Sequence, residues 1–138
     1  MPDLDDETLA GWRAFLNAHA RVTRAIGRDL AAAGLPDLSW YDLLWTLYRA
    51  PGRALRVNEL AREVVLSPTA MSRFVDRAEK AGYVRRDPDP ADRRALQVTL
   101  TDGGVDLLRK MWPIYSRGID EHFGRQSKAF HAALERMG

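Results

Sequence analysis

The first thirty residues carry a regular pattern of large side chains on a polar background. Between Leu9 and Leu30 these side chains recur at alternating steps of three and four residues. The set is Leu9, Trp12, Leu16, His19, Thr23, Ile26 and Leu30. Such spacing aligns side chains along one side of an α-helix, and Gly34 and Pro36 are expected to end that helix. A stripe of this length at the start of a small domain predicts a packing partner for the helix.

A second stripe of the same kind lies near the C-terminus. Thr101 is expected to cap a helix that runs from about residue 102 to residue 123. Pro113 inside this helix predicts a kink rather than a break, because the apolar pattern continues beyond it. A short final helix is expected over residues 126–137. The members of the stripe are Val105, Leu108, Trp112, Tyr115, Ile119 and His122.

Three short helices are predicted in the middle of the chain. The first begins at the expected N-cap Ser39, with Asp42 in the capping-box position three residues on. The second covers residues 57–65. The third runs from the N-cap Ser67 to Gly82, which stands at the position where glycine commonly ends a helix.

A β-hairpin is predicted after the third of these helices. Residues 83–87 and 96–100 have the composition and alternation of strands. The intervening sequence DPDPADRR, residues 87–94, is too polar to be buried, so Asp87 and Asp89 are expected only to keep the loop solvated. The order of the middle segment is therefore helix, helix, helix and hairpin.

Composition limits the class of protein without deciding it. The 138 residues are the size of one domain, and the absence of cysteine excludes disulfide scaffolds and thiol chemistry. Lysine and arginine number 21 against 19 acidic residues, so any case for nucleic acid rests on the distribution of charge. No apolar run approaches the ~18 residues of a membrane span, and no signal-peptide pattern is present. A cytoplasmic protein with no membrane partner is expected.

The outer face of the predicted helix 67–82 has chemistry suited to DNA. In a helix-turn-helix the second helix enters the major groove, and residues near its start reach the bases. Hydroxyl groups can approach phosphates closely, and guanidinium groups match guanine edges or phosphates. A charged helical face is more often simply solvated surface, but the paired arginines of the hairpin that follows favour DNA. The polar residues of the face are Ser67, Thr69, Ser72, Arg73 and Arg77.

The segment LSPTAMSRFVDRAEKAGYVRRDPDPADRRALQVTLTDGG, residues 66–104, resembles the core of the MarR family of bacterial winged helix-turn-helix regulators. The matching features are the serine-led helix, VDRAEKAGYVRR before the hairpin, DRRA at 92–95 and LTDGG at 100–104. Each motif is weak alone, but their order and spacing are specific. The resemblance extends over essentially the whole chain. It implies a mainly α fold with a small β-hairpin wing and long dimerisation helices at both ends.

Residue roles follow from this resemblance position by position. It implies a DNA face that consists of Ser67, Thr69, Ser72, Arg73 and Arg77. In the wing it implies that Arg94 enters the minor groove, where a narrow groove concentrates negative potential and attracts arginine. Arg93 would bind a neighbouring phosphate. Asp92 would orient a neighbouring arginine rather than touch DNA.

The resemblance also implies an assembly. One MarR-type domain would occupy residues 1–138, with dimerisation helices at about 5–34 and 102–138 and a winged helix-turn-helix at about 38–101. A homodimer would then bind a pseudo-palindromic operator in double-stranded DNA as a transcriptional regulator, with repression as the family's default. The alternative, stripes that pack only within one chain, is less favoured because the central segment is too small to cover both long helices.

A small aromatic or phenolic effector is the remaining implication of the resemblance. Aromatic walls with one or two polar groups suit a planar ligand. The alternative is that these residues are simply the core of a helical domain, which is the commoner role of such side chains. The candidate ligand-binding residues are His19, Trp40, Trp45, Trp112 and Tyr115.

No cofactor, metal site or enzymatic activity is expected. His19, His122 and His131 are far apart in the sequence, and none lies at the i, i+4 spacing of a helical metal pair. The chain lacks a glycine-rich phosphate loop, HExxH and Gly-x-Ser-x-Gly. A winged helix that binds only protein is a further alternative, but arginines at both the helix face and the wing argue against it.

Overall fold

The computed structural model describes residues 3–64, 66 and 68–138. The chain forms two compact units, one made of Met1–Pro36 with Pro113–Gly138 and the other of Asp37–Trp112. The structure is mainly helical with one small antiparallel sheet, which confirms the predicted fold class. In chain order the elements are α1 (Asp6–Ala32), α2 (Leu38–Arg49), a 3-10 turn (Pro51–Arg53), β1 (Ala54–Arg56), α3 (Val57–Glu63), α4 (Pro68–Lys80), β2 (Val84–Pro88), β3 (Leu96–Leu100), α5 (Asp102–Ile119), a π-helical segment (Asp120–Gly124) and α6 (Lys128–Met137).

Helix α1 confirms the long first helix predicted from the apolar stripe. Asp5 caps it, since the Asp5 carboxylate accepts a hydrogen bond of 2.7 Å from the Thr8 amide. The C-terminal half buries Ala25, Ile26 and Leu30. The N-terminal half is different, because every residue from Asp6 to His19 is exposed.

Helix α5 begins where the sequence predicts. The Thr101 hydroxyl accepts a hydrogen bond from the Gly104 amide (3.1 Å) and donates one to the Gly82 carbonyl (2.6 Å). The helix passes through Pro113 without a break. Its α-helical part ends at Ile119 instead of residue 123, because the last turn widens to a π-helix.

The predicted N-cap of α2 is wrong. Asp37, with an extended backbone, occupies that position and accepts a hydrogen bond of 2.9 Å from the Ser39 amide. The Ser39 hydroxyl also donates to the Asp37 carboxylate. A carboxylate is a strong acceptor for the bare amides at a helix start, so the helix begins at Leu38, one residue before the serine.

Helices α2, α3 and α4 and the first part of α5 form the core of the second unit together with the sheet. The apolar side of α4 is buried through Met71, Phe74, Val75 and Ala78. Gly82 ends the helix as predicted, with φ +81°, a backbone conformation that glycine adopts at no steric cost. The Tyr83 amide bonds back to the Ala78 carbonyl at 3.0 Å. The predicted N-cap Ser67 lies outside the described residues.

The sheet has the strand order β1-β3-β2, with both pairings antiparallel. Val84 pairs with Leu100 and Pro88 with Leu96, so the predicted hairpin is confirmed. Strand β1 was not predicted, because three residues are too few to show alternation. Pro88 is tolerated because it is the last residue of an edge strand. No helix in the described part of the chain is both long and apolar enough to cross a membrane.

Candidate nucleic-acid interface

The outer face of α4 carries four of the five polar residues that the sequence singled out. Thr69, Arg73 and Arg77 are exposed, and Ser72 is partly buried. Their direction follows from helical periodicity, since the apolar residues of the same helix are buried on the other side. The fifth residue, Ser67, lies outside the described residues.

Two aromatic rings lie close to the guanidinium of Arg77. Its guanidinium lies 5.0 Å from the centre of the Phe74 ring and 5.8 Å from that of Trp40. The Trp40 ring meets Phe74 edge-on at 5.1 Å. A guanidinium over aromatic faces is attracted by the ring quadrupole and loses part of its rotational freedom. Trp40, singled out as a ligand residue, therefore lies beside the α4 face.

The turn between β2 and β3 presents Arg93 and Arg94 to solvent. The Arg94 amide donates a hydrogen bond of 3.0 Å to the Asp92 carboxylate, and the Ala95 amide donates one of 3.0 Å to the Asp92 carbonyl. Asp92 thus braces the backbone that carries both arginines. We call β2, β3 and the connecting residues 89–95 the wing.

The prediction that Asp89 only keeps the loop solvated is wrong. Asp89 is 4% exposed. Its carboxylate accepts hydrogen bonds from Arg56 Nε at 2.6 Å and from the Ala91 amide at 2.8 Å. The amide bond from Ala91, followed by the Arg56 guanidinium, holds the pKa of Asp89 below its ordinary value. Asp89 therefore ties the start of the wing turn to β1.

Arg86 connects the wing to α4. From β2 its Nη2 donates to Asp76 Oδ1 at 2.7 Å and to the Ser72 carbonyl at 3.3 Å, while Nη1 donates to Glu79 Oε1 at 3.1 Å. The Arg86 amide also donates to Glu79 Oε2 at 2.9 Å. Sequence reasoning missed this residue, although strand alternation puts Arg86 on the same face as the buried Val84.

Two of the candidate ligand residues belong to one aromatic stack in the second unit. The Tyr41 ring lies between Trp45 (6.2 Å) and Trp112 (5.8 Å), and the Trp45 ring also stacks on Tyr48 at 5.5 Å. Trp45 and Trp112 are about half exposed, whereas Tyr41 is buried. Burial raises the pKa of the Tyr41 hydroxyl. We call Trp112, Tyr41, Trp45 and Tyr48 the aromatic stack.

His19 and Tyr115, the other two candidates, belong to the first unit. His19 lines a partly open cavity of about 300 Å³. The cavity walls are mainly apolar and consist of Phe15, Ala18, His19, Val22, Thr23, His122, Phe123, Gln126, Phe130 and Leu134. Tyr115 is partly buried and is not among these residues. The five candidate ligand residues are therefore divided between the two units.

One group of residues in the described part of the chain could offer three ligand atoms to a metal ion. Atoms of Asp29, Glu121 and His122 lie within 4.8 Å of one another, and His122 Nε2 is 3.9 Å from Asp29 Oδ2. Glu121 and His122 are exposed. Sequence spacing could not connect them, because Asp29 comes from α1 and the other two from the π-helical segment.

The helix pair α3–α4 followed by the β2–β3 hairpin is the arrangement of a winged helix-turn-helix. The model of the MarR family matches residues 33–95. Sco3205 from Streptomyces coelicolor, a MarR family transcriptional regulator solved in complex with DNA, superposes with a TM-score of 0.89 and 31% identity over 99% of this chain and 86% of that one. This chain belongs to the MarR family of transcriptional regulators.

Further relatives agree with this assignment. AbsC, a MarR family transcriptional regulator from Streptomyces coelicolor, superposes with a TM-score of 0.89 and 28% identity over 99% of this chain and 93% of that chain. PrsX, an HTH-type transcriptional regulator from Escherichia coli, is 30% identical over 109 residues, which are 79% of this chain. The match spans 65% of the length of PrsX. The family and these relatives are transcription regulators, not enzymes.

Proposed function

We propose that this protein is a sequence-specific transcriptional regulator that binds double-stranded DNA. One observation carries the proposal: a single compact unit exposes Arg73 and Arg77 on α4 and Arg93 and Arg94 at the tip of the wing. Guanidinium groups are suited to phosphates and to guanine edges, and two separate elements with such groups match the two grooves that a winged helix contacts. Acting on chromosomal DNA, the protein would work in the cytoplasm.

Each element has its own role in this proposal. The N-terminal part of α4 would enter the major groove, with Ser67, Thr69 and Ser72 close to the backbone or the bases. In the wing, Arg94 would enter the minor groove and Arg93 would bind an adjacent phosphate. Asp92 would contribute by holding the turn.

The replacement Arg94→Ala tests the proposal. The operator is first obtained by in vitro selection of bound DNA, and affinity is then measured over a range of salt concentrations. We expect Arg94→Ala to weaken operator binding and to flatten the log–log salt slope by up to about 1 for each bound chain, because one guanidinium contact is lost per chain. Arg109→Ala, which removes an exposed arginine of α5, is the matched control. Unchanged affinity in Arg94→Ala would rule out the role of the wing.

We propose further that the protein acts as a homodimer. The exposed half of α1 carries four large apolar side chains, Leu9, Trp12, Phe15 and Leu16, which are 36–55% exposed. We call these four residues the α1 stripe. Exposed apolar patches of this kind mark interaction sites. A second copy is the proposed occupant, and its apolar side chains would also fill the cavity beside Phe15. The segments at about 5–34 and 102–138 would then be the dimerisation helices, outside a winged helix-turn-helix at about 38–101.

A small planar effector is proposed to bind at the aromatic stack. The exposed parts of the Trp45 and Trp112 rings could form one side of a site for a planar molecule, and each aromatic contact contributes about 0.5–1.5 kcal/mol beyond its buried area. Binding would release the operator, and the protein would act as a repressor. A reporter gene behind the operator should therefore be expressed when the effector is added.

Tryptophan fluorescence during titration with a panel of aromatic acids tests the location of this site. Trp45→Ala should abolish the response, whereas His19→Ala should leave it unchanged. If His19→Ala abolishes the response and Trp45→Ala does not, the cavity of the first unit is the effector site. No fluorescence change and no shift in melting temperature with any compound would remove the support for an effector.

A further inference from the structure

The four hydrogen bonds of Arg86 all end on one line along α4. Ser72, Asp76 and Glu79 are separated by four and three residues, so they follow each other on one side of the helix. Arg73 and Arg77 come directly after Ser72 and Asp76. The guanidinium of Arg86 therefore binds the side of α4 that lies next to the two exposed arginines of the proposed DNA face.

Arg86 itself is poorly placed to contact DNA. Its side chain is 19% exposed, and donors of both Nη atoms are already used within the protein. Its partners Asp76 and Glu79 are more exposed. Two carboxylates beside a phosphate-binding surface would repel DNA, and one shared guanidinium reduces their combined charge.

We propose that Arg86 is the positioning residue that sets the wing against the recognition helix α4. It fixes β2 to α4 and at the same time neutralises part of the acidic charge beside the DNA face. The inference rests on the proposed DNA-binding function. For α4 and the wing to reach their grooves at the same time, they must keep one angle relative to each other. Arg86 would therefore contribute to operator preference without contacting the DNA.

The neighbouring residue provides a matched comparison. Arg85 lies on the opposite face of β2, is 57% exposed, and forms an ion pair with Asp87 on the same strand at 2.8 Å. Its pairing does not involve α4. The replacement Arg86→Lys keeps the charge but loses the planar fork that reaches several acceptors at once. Arg85→Lys makes the same chemical change without affecting the link to α4.

The first experiment measures the affinities of the selected operator and of random duplex over a range of salt concentrations. Wild type must prefer the operator, and if it does not, the proposed function itself fails. With that preference present, we expect Arg86→Lys to lower the ratio of operator to random affinity about tenfold, with an unchanged salt slope. Arg85→Lys should leave the ratio within about twofold of wild type.

Two results would overturn the positioning role. An equal loss on both DNAs, with a salt slope smaller by about 1 for each bound chain, would identify Arg86 as a phosphate contact. A lower melting temperature with an unchanged affinity ratio would mean that Arg86 only stabilises the fold.

A second measurement does not depend on DNA or on the folding of Arg86→Lys. The chain has no cysteine, so Ala91→Cys introduces a single site for a spin label in the wing turn. Glu79→Ala changes the partner on α4 and leaves Arg86 in place. It removes two of the four hydrogen bonds that Arg86 donates to α4. The label should become more mobile in Glu79→Ala and keep its mobility in Arg85→Lys. Equal mobility in wild type and Glu79→Ala would show that the link does not position the wing.

Discussion

Asp89 is a charged residue that the fold buries, and its two hydrogen-bond donors explain why this is possible. The backbone amide of Ala91 and the guanidinium of Arg56 satisfy its carboxylate. A buried charge is tolerated when it is paired and hydrogen-bonded. The sequence could not reveal this, because Arg56 precedes Asp89 by 33 residues on a strand too short to be predicted.

Replacing Asp89 by asparagine should loosen the wing. Asparagine keeps the shape but removes the charge that pairs with Arg56, so we expect faster hydrogen exchange of the wing amides and weaker operator binding. Asp87→Asn, which removes the exposed partner of Arg85, is the control. Equal protection of the wing amides in Asp89→Asn and wild type would contradict the bracing role.

The pH dependence of the wing has a definite sign. The pKa of Asp89 is lowered in the folded protein, so its stabilising effect is complete above the ordinary carboxyl pKa of about 4. The effect is lost as the pH falls through the lowered value, when the carboxylate takes up a proton. The NMR shift of the Ala91 amide, which donates to the Asp89 carboxylate, should follow this transition in wild type. In Asp89→Asn the transition should be absent.

Gly104, in the LTDGG motif, has a steric role that the motif alone did not explain. A Cβ at this position would lie 2.3 Å from the Tyr83 carbonyl oxygen and 2.5 Å from Leu100 Cδ1. Gly104→Ala should therefore destabilise the protein by about 1–3 kcal/mol, as overpacking does. At Gly103 the nearest atom would be 3.1 Å away, so Gly103→Ala should cost less. Urea unfolding measures both, and equal losses would contradict the steric argument.

At the scale of whole elements, the sequence predicts helices and strands best where their apolar pattern is long. Helices α1 and α5 were predicted because their apolar positions repeat over many turns. Strand β1 was missed because three residues cannot show a period. In the candidate site, the exposed residues of α4 and the wing were found from their chemistry and the family resemblance. The supports Arg56, Asp89 and Arg86 were missed, because their partners come from other elements.

Helix α2 gives a prediction at the scale of one element. Because Asp37 caps it, Asp37→Ala should lower the free energy of unfolding by about 0.5–2 kcal/mol. Ser39→Ala removes a hydroxyl that only donates to the Asp37 carboxylate, so its cost should be smaller. Thermal unfolding of both variants decides the matter. If Ser39→Ala is the more damaging change, Asp37 is not the effective cap.

For the molecule as a whole, the α1 stripe is an apolar surface that one chain leaves uncovered. Helix α1 extends through residues 6–19 with every position exposed, although isolated helical segments of this length are only marginally stable in water. Packing against a second copy would stabilise this half of the helix and bury its aromatic residues. Assembly and DNA binding are then connected, because two α4 helices about one DNA turn apart require two chains.

The double replacement of Trp12 and Phe15 by serine tests this connection. The two rings stack on each other at 6.0 Å, and their loss removes the largest part of the α1 stripe. We expect a monomer in analytical ultracentrifugation, and also lower helicity because the first half of α1 loses its cover. Leu4→Ser, which removes an exposed leucine that precedes α1, is the control and should remain dimeric.

DNA binding should change in parallel with assembly in the same variant. A dimer that neutralises about eight to ten phosphates has a log–log salt slope of about −7 to −9, and a monomer should show about half of it. Affinity for the whole operator should fall steeply. Each monomer should keep its weak affinity for a half-site, because α4 and the wing are intact. A variant that is monomeric yet keeps the full slope would show that one chain makes all the phosphate contacts. A variant that stays dimeric would place the interface elsewhere than on the α1 stripe.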